Sequence, residues 1–301
     1  MTKLTLLDGG MGRELKRVGA PFSQPLWSAQ ALIEAPHYVT QAHTRFIDAG
    51  ADIITVNSYA CVPFHLGDTL YQQRGAELAE AAAVLAKQAV KSTSKDIPIA
   101  GSLPPALGSY RPDLFEADRA FDILTTLFTA QNAHVDLWIA ETISSINEAL
   151  TVSRVFEKTN KPCYYAFTLN DEISRPSALR SGELVTHAIE AILEKKIDGI
   201  FFNCSIPEVI EQALIETNKV LEKHQISFTT GAFANSFTPI SSVNQAANLN
   251  IQSSRDLTPE EYIAYVKKWH HLGASIIGGC CGIGPEHIEA MAQWRNKLGE
   301  N

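Results

Sequence analysis

At 301 residues, with 45% hydrophobic and 19% charged residues, the chain has the makeup of a folded globular protein with ample core, which excludes disordered and fibrous classes. A formal net charge of -8 and a pI near 5.6 give no overall positive field, so neither nucleic acid nor an anionic membrane is expected as a partner. The opening from Met1 to Asp8 is too short an apolar run for a signal peptide, and no run of about 18 apolar residues follows, so a cytosolic protein is expected.

Short apolar segments alternate with helical patterns along the whole chain. Strand candidates fall at 4–7, 53–56, 97–100, 137–140, 163–167, 199–202, 227–230 and 275–278. Most are apolar on both alternations, as in a parallel sheet covered on both faces. Between them, 36–49 sets Val39, Ala42, Phe46 and Ile47 on one helical face, and 70–90 is an alanine-rich helix pattern. Ser145 with Glu148 resembles a capping box, and Thr258-Pro259-Glu260-Glu261 offers an N-cap, a first-turn proline and an acidic third position. Gly50 before Ile53-Ile54 and Gly273 before Ile276-Ile277 mark two similar helix-to-strand junctions. Eight β-then-α units predict an α/β fold, a (β/α)8 TIM barrel forming a single domain over 1–301. An open doubly wound sheet is the alternative.

In such a barrel the active site lies where the strands end, and those positions are polar here. They read Asp8-Gly9-Gly10-Met11-Gly12, Asn57-Ser58-Tyr59, Glu141-Thr142, Asn203-Cys204-Ser205, Asn235-Ser236 and Gly278-Gly279-Cys280-Cys281-Gly282. Five cysteines without a secretory signal argue for reduced thiols, with Cys61 and Cys163 structural. Adjacent Cys280 and Cys281 pair poorly with each other, and the flanking glycines let the backbone turn both sulfurs toward one point. With Cys204 as third ligand they suit zinc, whose catalytic sites use three protein ligands and keep one position open. A purely structural zinc site would want a fourth protein ligand. Nine histidines show no metal-ligand spacing, and no P-loop, dinucleotide fingerprint or nucleophile elbow occurs. A carboxylate at Glu141 sits at the barrel mouth, where an ammonium group would satisfy it. Asp8 suits loop capping equally well.

Together these segments resemble the homocysteine S-methyltransferase family of zinc-dependent thiol methyltransferases. The resemblance rests on Leu7-Asp8-Gly9-Gly10-Met11-Gly12, on Ala51 through Tyr59, on Glu141-Thr142, on Asn203-Cys204-Ser205 and on Gly278-Gly279-Cys280-Cys281-Gly282. It implies that Cys204, Cys280 and Cys281 hold zinc and act catalytically by activating the substrate thiol, and that Asp8 and Glu141 hold the substrate's amino acid end. Homocysteine is the implied acceptor. The implied methyl donor is a sulfonium, S-methylmethionine or S-adenosylmethionine, which would leave as a neutral molecule. Trp27 and Tyr59 are candidates for a cation–π wall around that donor or for packing, and Asn57 and Asn235 for substrate hydrogen bonds or loop support. The stretches 101–112 and 234–236 depart from the usual family pattern, which bears on the donor more than on homocysteine as acceptor, and a betaine-like donor or another thiol or selenol acceptor stays open as an alternative. So does a reading from another class, a zinc-containing barrel that binds an amino acid without methylating it. Residues 231–256 form a long loop that either covers the donor site or makes a subunit contact in a homo-oligomer, and Arg111 and Arg180 either recognise a carboxylate or, as the better reading, are surface residues.

Overall fold

The computed structural model describes residues 3–23, 25–173, 176–240 and 254–299. Its strands are β1 (Thr5–Leu6), β2 (Ile54–Thr55), β3 (Ile99–Leu103), β4 (Leu137–Ile143), β5 (Cys163–Phe167), β6 (Gly199–Asn203), β7 (Thr229–Phe233) and β8 (Ile276–Ile277). All pair in parallel, in the order β1-β8-β7-β6-β5-β4-β3-β2. A parallel bridge between Leu7 and Ile53, with the amides of Asp52 and Ile53 donating to the Leu6 carbonyl, joins β1 to the entry of β2 and closes the ring. Closure decides for the barrel over the open sheet.

The helices are α1 (Met11–Arg17), α2 (Ala29–Glu34), α3 (His37–Asp48), α4 (Pro63–Leu66), α5 (Asp68–Ser92), α6 (Ala117–Gln131), α7 (Ile146–Phe156), α8 (Val185–Ile192), α9 (Pro207–His224), α10 (Pro259–His271) and α11 (Pro285–Gly299). Strands that are apolar on both alternations bury two cores. Leu7, Ile53, Ala100, Ile139, Ala166, Phe201 and Phe233 fill the barrel, and the alternate residues, such as Trp138, Tyr165, Phe202 and Ile277, pack outward under the helices. All eight expected strands form. The third and fourth run on to Leu103 and Ile143, and the seventh lies later than 227–230, because its ladder with β6 starts at Thr229 opposite Gly199.

Helix ends follow their local chemistry. Thr258 makes the full capping box with Glu261, and Pro259 opens α10. At α7 only half the box forms, since Ser145 accepts from the Glu148 amide while the Glu148 carboxylate turns to the Ser144 amide. Gly50 and Gly273 both take positive φ after α3 and α10. At the base of the barrel, Asp52, Asp136 and Asp198 accept the amides of Leu6, Ile99 and Cys163, all at 2.8 Å, so each carboxylate just before an even strand ties down the neighbouring odd strand. Among the described residues, no helix is long and apolar enough to cross a membrane.

Candidate active site at the barrel mouth

The turn after β8 is shaped by close approach. The amide of Gly279 donates to the Asp8 carbonyl at 2.9 Å and that of Cys280 to the Ala234 carbonyl at 2.8 Å, so the turn lies between the exits of β1 and β7. A Cβ at Gly279 would stand 2.1 Å from a methyl of buried Ile283, and Gly282 combines a φ of +87° with a Cβ position 1.8 Å from Ser236 Oγ. Opposite this turn, Cys204 leaves β6 in the left-handed region, with a φ of 47°. Its carbonyl accepts from Tyr110 Oη at 3.2 Å and from Thr168 Oγ1 at 3.3 Å, hydrogen bonds that help hold a conformation unfavourable for a residue with a Cβ. Trp27, Tyr110 and Thr142 also have positive φ, so four of the five such non-glycine residues among those described gather around this mouth.

These turns bring the sulfurs of Cys204, Cys280 and Cys281 within 4.8 Å of one another, an arrangement suited to holding a metal ion. The expectation of reduced thiols needs one correction, because Cys204 and Cys280 are joined as a disulfide. Sulfurs that converge this closely can bond to each other as well as to a shared ion, and a three-sulfur metal site requires the pair in its dithiol form. Cys281, Cys61 and Cys163 are free. Burial pushes the thiol of Cys281 up to about 11 despite the opposing influence of Arg13, and those of Cys61 and Cys163 up to about 12.

Two carboxylates share the mouth. Asp8 is buried and accepts the Thr55 amide at 2.8 Å and its hydroxyl at 3.0 Å. Glu141 accepts from Ser102 Oγ at 2.5 Å. Burial raises both to about 7, and the Glu141 charge adds to the effect on Asp8. A buried network stands behind Glu141. Gln131 Oε1 accepts from the Ser102 amide at 3.1 Å and from Ser58 Oγ at 3.2 Å, which fixes the end of β3 that carries the Ser102 hydroxyl. The irregularity in β4 at Glu141-Thr142 is pinned by Asn203, whose side chain exchanges hydrogen bonds with the Thr142 amide and hydroxyl.

A cavity of about 820 Å³ unites these parts. Asp8, Glu141, Asn57, Tyr59, Trp27, Cys204, Cys280 and Cys281 all line it, as expected from their places after strands. Asn235 does not. It is fully buried beside the cavity wall, its Oδ1 accepting the Phe237 amide at 3.1 Å, which supports the loop. Tyr59 Oη bonds Ser109 Oγ at 2.7 Å, and Asn57 donates to the Ser28 carbonyl at 3.3 Å.

Sequence reading missed Arg13, Tyr110 and Phe237, which also line the cavity. It also misjudged Arg180, which is buried in an ion pair of 2.9 Å with Asp171 and lies over the Tyr110 ring at 4.9 Å. Asp171 further accepts the amides of Ile206 and Ile240, so the pair braces the loop just beyond Cys204. Arg111 pairs with Asp113, away from the cavity lining. The expected loop 231–256 begins later, since β7 runs to Phe233, and residues 241–253 of it lie outside the described residues.

A profile of the family described as homocysteine S-methyltransferase matches residues 5–295. The chain belongs to the homocysteine S-methyltransferase family. Homocysteine S-methyltransferase 3 of Arabidopsis thaliana is 28% identical, over 96% of this chain and 88% of its own length. Selenocysteine methyltransferase of Astragalus bisulcatus is 27% identical, over 96% and 91%. Among solved structures, the metallated and oxidized forms of the homocysteine methyltransferase MmuM from Escherichia coli each share the fold with a TM-score of 0.77, at 23% identity over 97% of this chain and 96% of theirs.

Proposed function

We propose that this enzyme transfers a methyl group from a sulfonium donor to the sulfur of homocysteine, forming methionine, with zinc held by Cys204, Cys280 and Cys281 and with residues 1–301 acting as one catalytic domain. The observation that carries the reading is the convergence in one cavity of three cysteine sulfurs within 4.8 Å and of two carboxylates, Asp8 and Glu141, raised by burial. The donor set fits zinc, which favours thiolate ligands and, with three of them, would keep a fourth position open. When bound, zinc supplies a Lewis acid that favours the acceptor's thiolate over its thiol.

The chain's own residues fix the acceptor at its other end. Glu141, oriented by Ser102, and Asp8, held by Thr55, take the acceptor's ammonium group, which offsets their cost of ionising in a buried place. The thiol proton leaves to solvent, and a lone pair of the acceptor sulfur attacks the donor's methyl carbon. The donor's S–CH3 bond breaks with its electron pair remaining on the donor sulfur, which departs as a neutral thioether. Trp27 and Tyr59, both in the cavity wall, offer π faces to the sulfonium before its charge is lost. S-methylmethionine and S-adenosylmethionine are the donors that fit this description. The relative that methylates selenocysteine supports a second reading, a selenol acceptor in the same place.

The methylated acceptor tests both readings, methionine from homocysteine and Se-methylselenocysteine from selenocysteine. Reduced, zinc-replete protein is given homocysteine with S-methylmethionine, S-adenosylmethionine or betaine in separate reactions, with selenocysteine as a second acceptor and Cys281→Ser as the blank. Turnover with a sulfonium and none in the blank supports the reading. Protein that holds zinc yet turns over no donor would sink it.

A further inference from the structure

The cavity is polarised beyond what the acceptor uses. Asp8 lies buried within it, whereas Arg13, from the first turn of α1, stands exposed at its rim. The Arg13 guanidinium carbon is 5.4 Å from the centroid of the Phe237 ring, itself part of the lining. Its Nη1 lies on the Gly282 side of the cysteine turn, 3.6 Å from where a Gly282 Cβ would stand. Of the nearby cations, Arg17 and Arg45 are neutralised, while Lys16, exposed in the same lining, pairs with no carboxylate among the described residues. Glu14 takes Arg17 at 2.8 Å and Arg45 at 2.7 Å, and Glu286 takes Arg17 at 3.1 Å. Among the described residues no carboxylate pairs with Arg13, in a chain whose net charge is -8. A guanidinium steadied by an aromatic face and without an acidic partner is a ready receptor for a carboxylate.

We propose that Arg13 binds the carboxylate of the methyl donor, so that the donor is a carboxylate-bearing sulfonium. This rests on the methyl-transfer reading above. Within that reading the acceptor's sulfur faces the cysteines and its ammonium faces Asp8 and Glu141, which commits it to the inner part of the cavity. The donor must then lie on the open side, because its methyl carbon has to meet the acceptor sulfur from there. An amino acid sulfonium in that position has its cation beside the aromatic wall and its carboxylate at the rim, where Arg13 offers a planar two-pronged donor. About 820 Å³ holds both ligands together. A sulfonium without a carboxylate would keep the aromatic contacts and lose the rim contact.

Two sulfonium probes separate these contributions: S-methylmethionine and its decarboxylated analogue, (3-aminopropyl)dimethylsulfonium. Dissociation constants come from tryptophan fluorescence of the reduced enzyme, and donor and acceptor KM from methionine formation. Wild type should prefer the carboxylated probe by roughly 10- to 100-fold, the size of one charge-assisted pair. Arg13→Gln should bind both probes nearly equally and raise donor KM with acceptor KM unchanged. Arg13→Lys should recover part of the preference, and Lys16→Gln, at another lining cation, should keep it. Arg13→Gln that retains the preference, or that raises acceptor KM instead, overturns the proposal. So does loss of the preference in Lys16→Gln alone. The two readings fail differently. Wild type that shows the preference and makes no methionine refutes methyl transfer and upholds the carboxylate site, whereas Arg13→Gln that makes methionine at unchanged donor KM does the reverse.

Discussion

Acidic residues at the two ends of the barrel face opposite circumstances. At the base, Asp52, Asp136 and Asp198 stand partly or well exposed, and each accepts a strand amide at 2.8 Å. At the mouth, Asp8 is buried and Glu141 partly so, burial raises both to about 7, and both have only neutral hydrogen-bond donors. Base carboxylates finish the sheet, so their interactions are complete without a ligand. Those at the mouth sit where ionisation is costly until a cation arrives, and the three sulfurs stand in the same cavity. Position along the strand, more than residue type, separates stability from function in this fold.

The sharpest break in that comparison should come from the mouth's sulfur side. Cys281→Ser should lower methionine formation to background while leaving the thermal unfolding midpoint close to wild type. A matching collapse in stability would show that the cysteine turn serves the fold instead. Next in size is Glu141→Gln. Losing a charge-assisted contact to the acceptor's ammonium costs about 2 kcal/mol, so acceptor KM should rise roughly 30-fold.

The pH dependence follows from the same contrast. Because the Asp8 and Glu141 carboxyls are raised to about 7 in the folded chain, they are mostly protonated below that pH, and wild-type acceptor KM should fall as pH rises from 6 to 8. Glu141→Gln should flatten that profile, and an unchanged slope would remove Glu141 from acceptor binding. Stability should run the other way. A carboxyl that holds its proton more tightly when folded loses stability as pH climbs from its ordinary value near 4 to about 7. Asp8→Asn should therefore weaken the fall in unfolding free energy over that window. By contrast, Asp136→Ala should cost about 1 kcal/mol by stranding the Ile99 amide, and leave acceptor KM alone. Smallest of all, Trp27→Leu should raise donor KM only several-fold, the worth of one partly exposed cation–π contact at about 1 kcal/mol.

Much of this mouth was legible in the sequence because strand ends are local signals. Asp8 and Glu141 directly follow apolar residues, Cys204 and Cys280 come within three residues of theirs, and barrel closure then carries all four to one rim. What escaped was set by distant segments. Arg13 lies on a short helix whose pattern says nothing of a cavity, and it acquires its place from Phe237, far along the chain. Arg180 reads as a surface residue until the loop after β5 folds Asp171 against it. Asn235 follows a strand like the true lining residues, yet its side chain turns back on the Phe237 amide. The bond between Cys204 and Cys280 was likewise hidden, since a cysteine's place after a strand fixes where its sulfur lies and not what it bonds.

Whether those three sulfurs form one metal site is settled most directly by zinc content. Protein reduced to open the Cys204–Cys280 bond, loaded with zinc and dialysed, should hold one zinc per chain by elemental analysis. Cys204→Ser, Cys280→Ser and Cys281→Ser should each lose most of it. Wild type without stoichiometric zinc, or any one of these variants retaining it in full, would contradict a shared three-cysteine site.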